Sequence, residues 1–384
     1  MSKLTVGVIF GGRSGEHEIS LRSALTVMGA MDPAKYEIVP IGIARDGRWY
    51  LIPDAMRVLS DATERRAELD RGGVPVSLPP HPHGGGLVRS NQNTGEVAAT
   101  GSESGLGRPL DVIFPVLHGS YGEDGTIQGL LELAGIPYVG AGVLGSAVGM
   151  DKDAQKRLLR DSGIPVVRFV SLDRRQHGEQ PTLAERLANE LGYPVFVKPN
   201  AMGSSIGTTK VKNPAGLGPA LEDAFQYDRK VLIEASCEGR ELECAVLGND
   251  KPEASLPGEV VIKSGYDFYS YESKYLDPNG AECRIPAELP TPAVERIRTV
   301  SIAAFKALGL CGMARVDFLA RRDLSELFVS EVNTIPGFTS ISMYPKLWEV
   351  SGVPLPRLID RLIELALEEH KERAALKFTY QPRR

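Results

Sequence analysis

The chain opens with LTVGVIF, an unbroken apolar run, followed by the turn GGRSGE and then EISLRSALTVMGAM. A continuous apolar run bounded by glycines predicts a buried strand, with the Gly turn leading into a helix. YEIVPIGIA reads as a strand and DGRWYLI as a turn and a strand. DVIFPVLHG reads as a second buried strand, running into the loop GSYGEDG and the helix TIQGLLELAGI, and IPYVGAG closes the unit. Strands alternating with helices predict a parallel α/β layer whose functional loops lie at the C-terminal ends of the strands. The polar, Gly- and Ser-rich stretch from about 84 to 108 is expected to be a surface excursion.

From about 143 the texture changes. VGMDKDAQKRLLRDSGI predicts a capped helix, VVRFVSL a strand and TLAERLANELGY a helix. YPVFVKPNAMGSSIGTTKVKN alternates as two strands around a loop of small residues. GPALEDAFQYDRK is a helix and VLIEASCEGRELECAVLGN a further strand pair. The remainder predicts antiparallel strands and a long final helix, LPRLIDRLIELALEEHKERAAL. Three units follow, at 1–142, 143–229 and 230–384, and no repeat of 20–50 residues is visible.

Composition narrows the functional classes. A chain of 384 residues is long enough for two or three packed units. The net charge of -5 excludes binding to nucleic acid through a broad basic surface. The four cysteines lack CxxC spacing and the six histidines lack an HExxH pattern, so reduced structural thiols are expected. No apolar run approaches the roughly 20 residues that span a bilayer, and the first apolar run is too short for a signal peptide, so none is expected there. A soluble, cytoplasmic protein is expected.

Two stretches place polar groups where buried strands are predicted. In GMARVDFLA, Arg315 and Asp317 are two apart; in FVSEVNTIPG, Glu331 and Asn333 repeat the arrangement. Residues two apart share a strand face. Asp317, Glu331 and Asn333 offer oxygen ligands to a hard cation such as Mg²⁺, which takes few carboxylates and completes its shell with phosphate oxygens. The competing reading is a structural ion pair of Arg315 with Asp317 or Glu331. PNAMGSSIGTTK is neither a Walker A loop nor GxGxxG, yet its small residues suit the approach of main-chain N–H groups to a triphosphate. A plain hairpin turn is the alternative. Lys198, in the strand before that loop, needs a negative partner if it is buried. Lys152 starts a helix and alone reads as a surface lysine. Glu234 and Glu241 flank a connector that could hold an adenine amino group and ribose hydroxyls.

In order along the chain, GGRSGEHEIS, HGSYGEDGTIQGLLELAGIPYVG, MDK, VKPNAMGSSIG, YESKY, ARVDF and EVNTIPGFTSISMYP resemble the D-alanine–D-alanine ligases of the ATP-grasp superfamily. The likeness covers nearly the whole chain apart from about 55–108. It implies an ATP-grasp fold: an N-terminal parallel α/β domain and two α+β subdomains that sandwich ATP. It also implies joining of two D-alanines, in which ATP phosphorylates one carboxylate and the second amine attacks the acyl phosphate. A homodimer, ATP and two Mg²⁺ (or Mn²⁺) ions come with the family, for which no nucleic-acid or membrane partner is expected.

By the same resemblance, Lys152 and Lys198 reach the α- and β-phosphates, while Glu234 and Glu241 hold adenine and ribose. Asp317, Glu331 and Asn333 match the metal ligands, and Lys274 matches a loop lysine that closes over the γ-phosphate. Arg315 and the N–H of Gly337 match the groups that stabilise the tetrahedral oxyanion, with Pro336 fixing the turn. Glu16 matches the carboxylate that pairs with the first D-alanine's ammonium, and His118 lies beside that substrate's carboxylate. Ser342 and the main chain of Met343 match the site for the second carboxylate, and Tyr275 with Ser204 latches a lid onto Glu16. The chain departs from the family at Ala235-Ser236, where an aromatic residue is common; nucleotide affinity is what this touches. Ester-forming relatives replace the tyrosine found here as Tyr275. A nucleotide-binding protein without catalysis would lack one of Arg315, Asp317, Glu331 or Asn333. A dehydrogenase reading of VIFGGRSGE fails for want of GxGxxG.

Overall fold

The computed structural model describes residues 2–62, 69, 72–82, 86–90, 97–98, 106–263, 265, 268, 277, 280–377 and 379–380. The first unit is built on a seven-stranded sheet of β1 (Leu4–Gly11), β2 (Tyr36–Ile43), β3 (Trp49–Leu51), β4 (Val74–Ser77), β5 (Val88–Ser90), β6 (Val97–Ala98) and β7 (Val112–Val116), in the order β6-β5-β4-β3-β2-β1-β7. The apolar runs of β1 and β7 are the centre of its parallel part: β1 pairs in parallel with both β2 and β7. The helix after the Gly turn, α1 (His17–Ala30), packs Leu21, Ala24 and Val27 into the same core as Val6, Val8 and Phe114.

The sheet is not purely parallel. β2 to β6 pair antiparallel in succession, because their connections are too short for a crossover. The stretch around 84–108 therefore does more than skirt the surface: β5 extends the sheet and Leu87 is fully buried.

The second unit is an antiparallel sheet of β8 (Phe169–Asp173), β9 (Val195–Pro199), β10 (Thr209–Val211) and β11 (Lys230–Ala235), ordered β10-β9-β11-β8. Helices α2 (Ala55–Ala62), α3 (Thr126–Ala134), α4 (Val143–Met150) and α5 (Lys152–Asp161) precede it; α6 (Arg174–Glu179), α7 (Leu183–Leu191) and α8 (Leu217–Tyr227) belong to it. Period-2 alternation sorts its side chains. Val195, Val197, Val231 and Ile233 pack against α7 and α8, which leaves Phe196, Lys198 and Glu234 on the opposite face.

The third unit holds β12 (Arg240–Gly248), β13 (Glu253–Ala254), β14 (Gly258–Ile262), β15 (Ala281–Arg284), β16 (Gly312–Ala320) and β17 (Leu327–Asn333), ordered β15-β14-β12-β16-β17 with β13 on β12. Helix α9 (Thr291–Ala307) covers one face, burying Val316, Phe318 and Val329 with Phe305. Sequence predicted β11 and β12 as a strand pair, but they enter different sheets. The connector 236–239 steps from one to the other, so a boundary at 230 falls inside the four-stranded sheet. Two last helices, α10 (Met343–Val350) and α11 (Leu355–Ala374), share one core with β1, β7 and α1. Asp360 binds Lys35 (2.6 Å) and Tyr36 (2.7 Å), which ties α11 to the first unit.

The helix predicted over VGMDKDAQKRLLRDSGI begins at Lys152. The residues before it close a separate helix, α4, and extended Asp151 breaks the two apart. Its carboxylate caps α5 by accepting from the N–H of Ala154 (2.8 Å), and it pairs with Lys230 (2.9 Å). Asp151→Ala should lower stability by about 1–2 kcal/mol, the cost of a lost N-cap, measured by denaturant unfolding. An unchanged midpoint would mean that the cap is replaceable by water.

Candidate active site

The two polar strand motifs meet. Antiparallel pairing sets Arg315 opposite Asn333 and Asp317 opposite Glu331, with a bulge directly after Asp317. The core residues of β16 alternate with them, so Arg315 and Asp317 project from the face away from α9. Arg315 donates two hydrogen bonds to Asp317, both 2.7 Å, and lies 2.9 Å from Glu243 on β12. The amide of Asn333 donates to the same Asp317 (2.9 Å). Burial works against the Arg315 charge, but Asp317 and Glu243 outweigh it and hold the guanidinium firmly protonated. The ion pair weighed as an alternative is thus present, alongside an oxygen-rich donor set.

Opposite lies a group of lysines. Lys198 is 2.7 Å from Glu234, which is also 3.1 Å from Lys156; Lys156 and Glu234 are almost wholly buried. Burial alone would raise the Glu234 pKa, yet Lys156 and Lys198 bring it down to about 2. Burial pushes the Lys156 pKa down, whereas at Lys198 the Glu234 carboxylate more than offsets burial. Glu234 is committed to two lysines, a partnership that its expected place beside adenine did not foretell. Lys152 is no surface lysine: 12% of its side chain is exposed, and it donates to the Met202 carbonyl (2.7 Å) and lies 3.6 Å from Glu331. Lys152, Lys198, Glu234 and Glu241 line one cavity of about 930 Å³ with Arg315, Asp317 and Glu331.

The loop between β9 and β10 is a hairpin connection, and it also reaches this cavity through Ser204 and Ser205. Both serines are left-handed, with φ of 52° and 58°, a conformation that side chains other than glycine seldom adopt. Ser204 donates to Glu16. A Cβ on neighbouring Gly203 would come within 2.7 Å of the Glu16 carboxylate, so glycine is needed for that approach.

Glu16 sits at the end of the first Gly turn, beside a second cluster. His118 is buried; its Nδ1 donates to the Ile335 carbonyl (3.1 Å), and its Nε2 lies 3.4 Å from the Ser23 hydroxyl. Burial lowers its pKa, so the ring is neutral and Nε2 accepts from Ser23. Ser23 in turn accepts from the N–H of Phe338 (3.2 Å). Ser342 stands at the residue before α10 without a side-chain bond to the helix, and its hydroxyl accepts from the Thr339 N–H (2.9 Å). A Cβ on Gly337 would stand 2.8 Å from Ser342 Oγ, so the EVNTIPG turn passes close to that hydroxyl.

Sequence reading missed four residues here. Glu123 in GSYGEDG accepts from the N–H groups of Gly119 (2.6 Å) and Ile335 (3.2 Å). Lys156 and Gln155 were hidden because a polar residue on a core-facing position shows only when its element's buried face is known, and Glu243 because its partner Arg315 comes from another strand. Lys274 and Tyr275 lie outside the described residues.

Glu123 carries a pH-dependent expectation. Burial, and then the charge of Glu16, raise its pKa to about 8 from an ordinary 4.5. The fold favours its neutral form, so this contribution to stability is complete below the ordinary value and is lost as pH rises through about 8. The melting temperature of the wild type should therefore fall, relative to Glu123→Gln, between pH 5 and 8.5. Parallel curves would contradict the shift.

Sequence and structure comparisons point to one family. The family pattern described as D-ala D-ala ligase N-terminus matches residues 5–141, and that described as D-ala D-ala ligase C-terminus matches residues 158–364. The chain belongs to the D-alanine–D-alanine ligase family. It is 46% identical over 376 residues to D-alanine–D-alanine ligase A of Chromobacterium violaceum, covering 98% of each chain. The solved D-alanine–D-alanine ligase from Coxiella burnetii superposes with a TM-score of 0.82 at 39% identity, covering 97% of both chains. The VanG D-Ala:D-Ser ligase of Enterococcus faecalis gives 0.81 at 36% identity, covering 95% of this chain and all of that one. The ATP-grasp fold expected of the family is the fold observed.

The family works with a divalent cation, and the donor set of β16 and β17 fits one. Two carboxylates and an amide are few protein ligands, which suits Mg²⁺ held largely through phosphate oxygens. Among the described residues no cage of three or more His, Cys, Asp or Glu side chains forms. Among them, too, no helix is long and apolar enough to cross a membrane.

Proposed function

We propose that the protein uses ATP to join two D-alanines into D-alanyl-D-alanine for peptidoglycan precursors. The observation that carries this is the convergence of Lys152, Lys198, Arg315, Asp317 and Glu331 on one cavity, with the Glu16–Ser204 contact linking loops of two units nearby. The first D-alanine's carboxylate attacks the γ-phosphate, releasing ADP and leaving an acyl phosphate. The second D-alanine's amine then attacks the acyl carbon, and phosphate departs with one former carboxyl oxygen.

Glu16 binds the first ammonium, its carboxylate held in place by Ser204. His118, neutral and anchored at both nitrogens, donates no charge and shapes the wall beside that substrate. Arg315 and the Gly337 N–H stabilise the oxyanion of the tetrahedral intermediate. Ser342 and the Met343 N–H receive the second carboxylate at the start of α10, where the helix dipole favours an anion. Lys152 and Lys198 hold the α- and β-phosphates, with Glu234 keeping Lys198 charged and oriented. Glu241 takes the ribose, and the adenine contact expected of Glu234 falls to the connector 235–239, which also lines the cavity.

Two Mg²⁺ or Mn²⁺ ions would be held by Asp317, Glu331 and Asn333, and would neutralise phosphate charge when bound. Lys274 and Tyr275 take the lid roles. The homodimer and cytoplasmic placement are parts of the same reading, supported by family likeness. ADP release by the purified protein should require D-alanine and should not be supported by L-alanine. Equal ADP release with either enantiomer would refute this assignment.

A further inference from the structure

The strand that carries Glu331 and Asn333 lies at the edge of its sheet: β17 pairs with β16 on one side, and among the described residues the other side meets a single parallel bridge, Val166 with Val329, where the Val329 N–H donates to the Pro165 carbonyl (2.8 Å). Its outer main-chain groups still find partners, and several come from one helix. Gln155 on α5 accepts from the Val332 N–H (3.0 Å) and donates to the Val332 carbonyl (3.1 Å). Its second amide hydrogen goes to the Gly149 carbonyl at the end of α4 (2.7 Å). The next residue, Lys156, donates to the Ser330 carbonyl (2.7 Å). Ser330 is the residue left over by the bulge, since Asp317 pairs with Glu331 and Phe318 with Val329.

We propose that Gln155 is a positioning residue that takes the place of a neighbour strand beyond that bridge, and that with Lys156 it fixes the main chain on both sides of Glu331. A primary amide presents a donor and an acceptor side by side, as a peptide group does, and so satisfies both groups of Val332 at once. The assignment of Oε1 follows from the geometry, because the Val332 N–H can only donate. Gln155 has no exposed surface and all its bonds are made to main chain, so it has no direct access to a ligand. Its effect must pass through β17. Edge strands with unanchored outer groups shift register and twist easily, and a bulge beside Glu331 adds to that freedom. Anchors at 330 and 332 confine residue 331 from both sides, which aims its carboxylate and, one residue on, Asn333.

This inference rests on the ligand role proposed for Glu331 and Asn333. The test is Mn²⁺ binding in the presence of ADP, followed by electron paramagnetic resonance, with ADP binding in the absence of metal as a parallel measurement. Gln155→Met keeps the length and removes every bond. It should weaken Mn²⁺ binding by about tenfold or more, the usual effect of losing a residue that orients a ligand, with metal-free ADP affinity within about twofold. Gln155→Glu keeps the acceptor for the Val332 N–H and should fall between the wild type and Gln155→Met; it decides the question if the Met variant does not fold. Leu159→Val, a core change on the same helix, should lower the melting temperature and leave Mn²⁺ binding unchanged. Wild-type Mn²⁺ affinity in the Gln155 variants, or an equal loss in Leu159→Val, would overturn the proposal. Failure of the wild type itself to bind Mn²⁺ with ADP would instead remove the ligand role of β17, and this inference with it.

Discussion

Glu331→Gln should lower kcat by about a hundredfold or more, equivalent to roughly 2.7 kcal/mol of barrier, while the protein stays folded. Glu331 faces the cavity with about a third of its side chain exposed, and Lys152 stands 3.6 Å away. The substitution therefore leaves no buried void, and Lys152, which loses a charged neighbour, keeps its bond to the Met202 carbonyl. What it removes is negative charge from the strand pair that would hold the phosphate-bound cations, and phosphoryl transfer depends on that neutralisation. Steady-state turnover at saturating ATP, Mg²⁺ and D-alanine, with a melting curve alongside, checks both halves. Turnover within about threefold of wild type would remove Glu331 from the metal site.

Arg315→Met should do more: abolish measurable turnover and cost about 3 kcal/mol or more of stability. The guanidinium is the shared partner of Asp317 and Glu243, two carboxylates whose side chains are 16% and 9% exposed. Removing it sets two partly buried anions side by side without a counter-charge. Denaturant unfolding reads the stability loss, and single-turnover ATP cleavage with D-alanine reads the chemistry. A variant as stable as wild type would mean that water already compensates these carboxylates.

The parts of the fold legible in the sequence are those set by local pattern. The apolar runs of β1 and β7, the turn after each, and the long final helix follow from periodicity and glycine placement. That Arg315 shares a face with Asp317, and Glu331 with Asn333, was legible because two-residue spacing fixes a common strand face, whatever the strand's partner. Less accessible was anything that depends on which sheet an element joins. β11 and β12 look like a hairpin because their connector is short, yet 236–239 suffices to pass from one sheet to the next. Residues 86–90 look like surface by composition, but Leu87 and the edge of β4 give that segment a sheet to extend. Lys156 sits one turn before Leu159 on the buried side of α5, and a charged residue there reads as solvated until its partner Glu234 arrives from β11. Such long-range charge pairs leave no local trace.

The reaction's central feature, transfer of a carboxyl oxygen from D-alanine to phosphate, can be measured directly. The purified protein would be supplied with ATP, Mg²⁺ and D-alanine labelled with ¹⁸O in both carboxyl oxygens, and the phosphate and dipeptide analysed by mass spectrometry. Phosphorylation of the carboxylate followed by attack of the second amine predicts one ¹⁸O in each phosphate released and one D-alanyl-D-alanine for each ADP. Unlabelled phosphate, or label carried into AMP, would contradict the account.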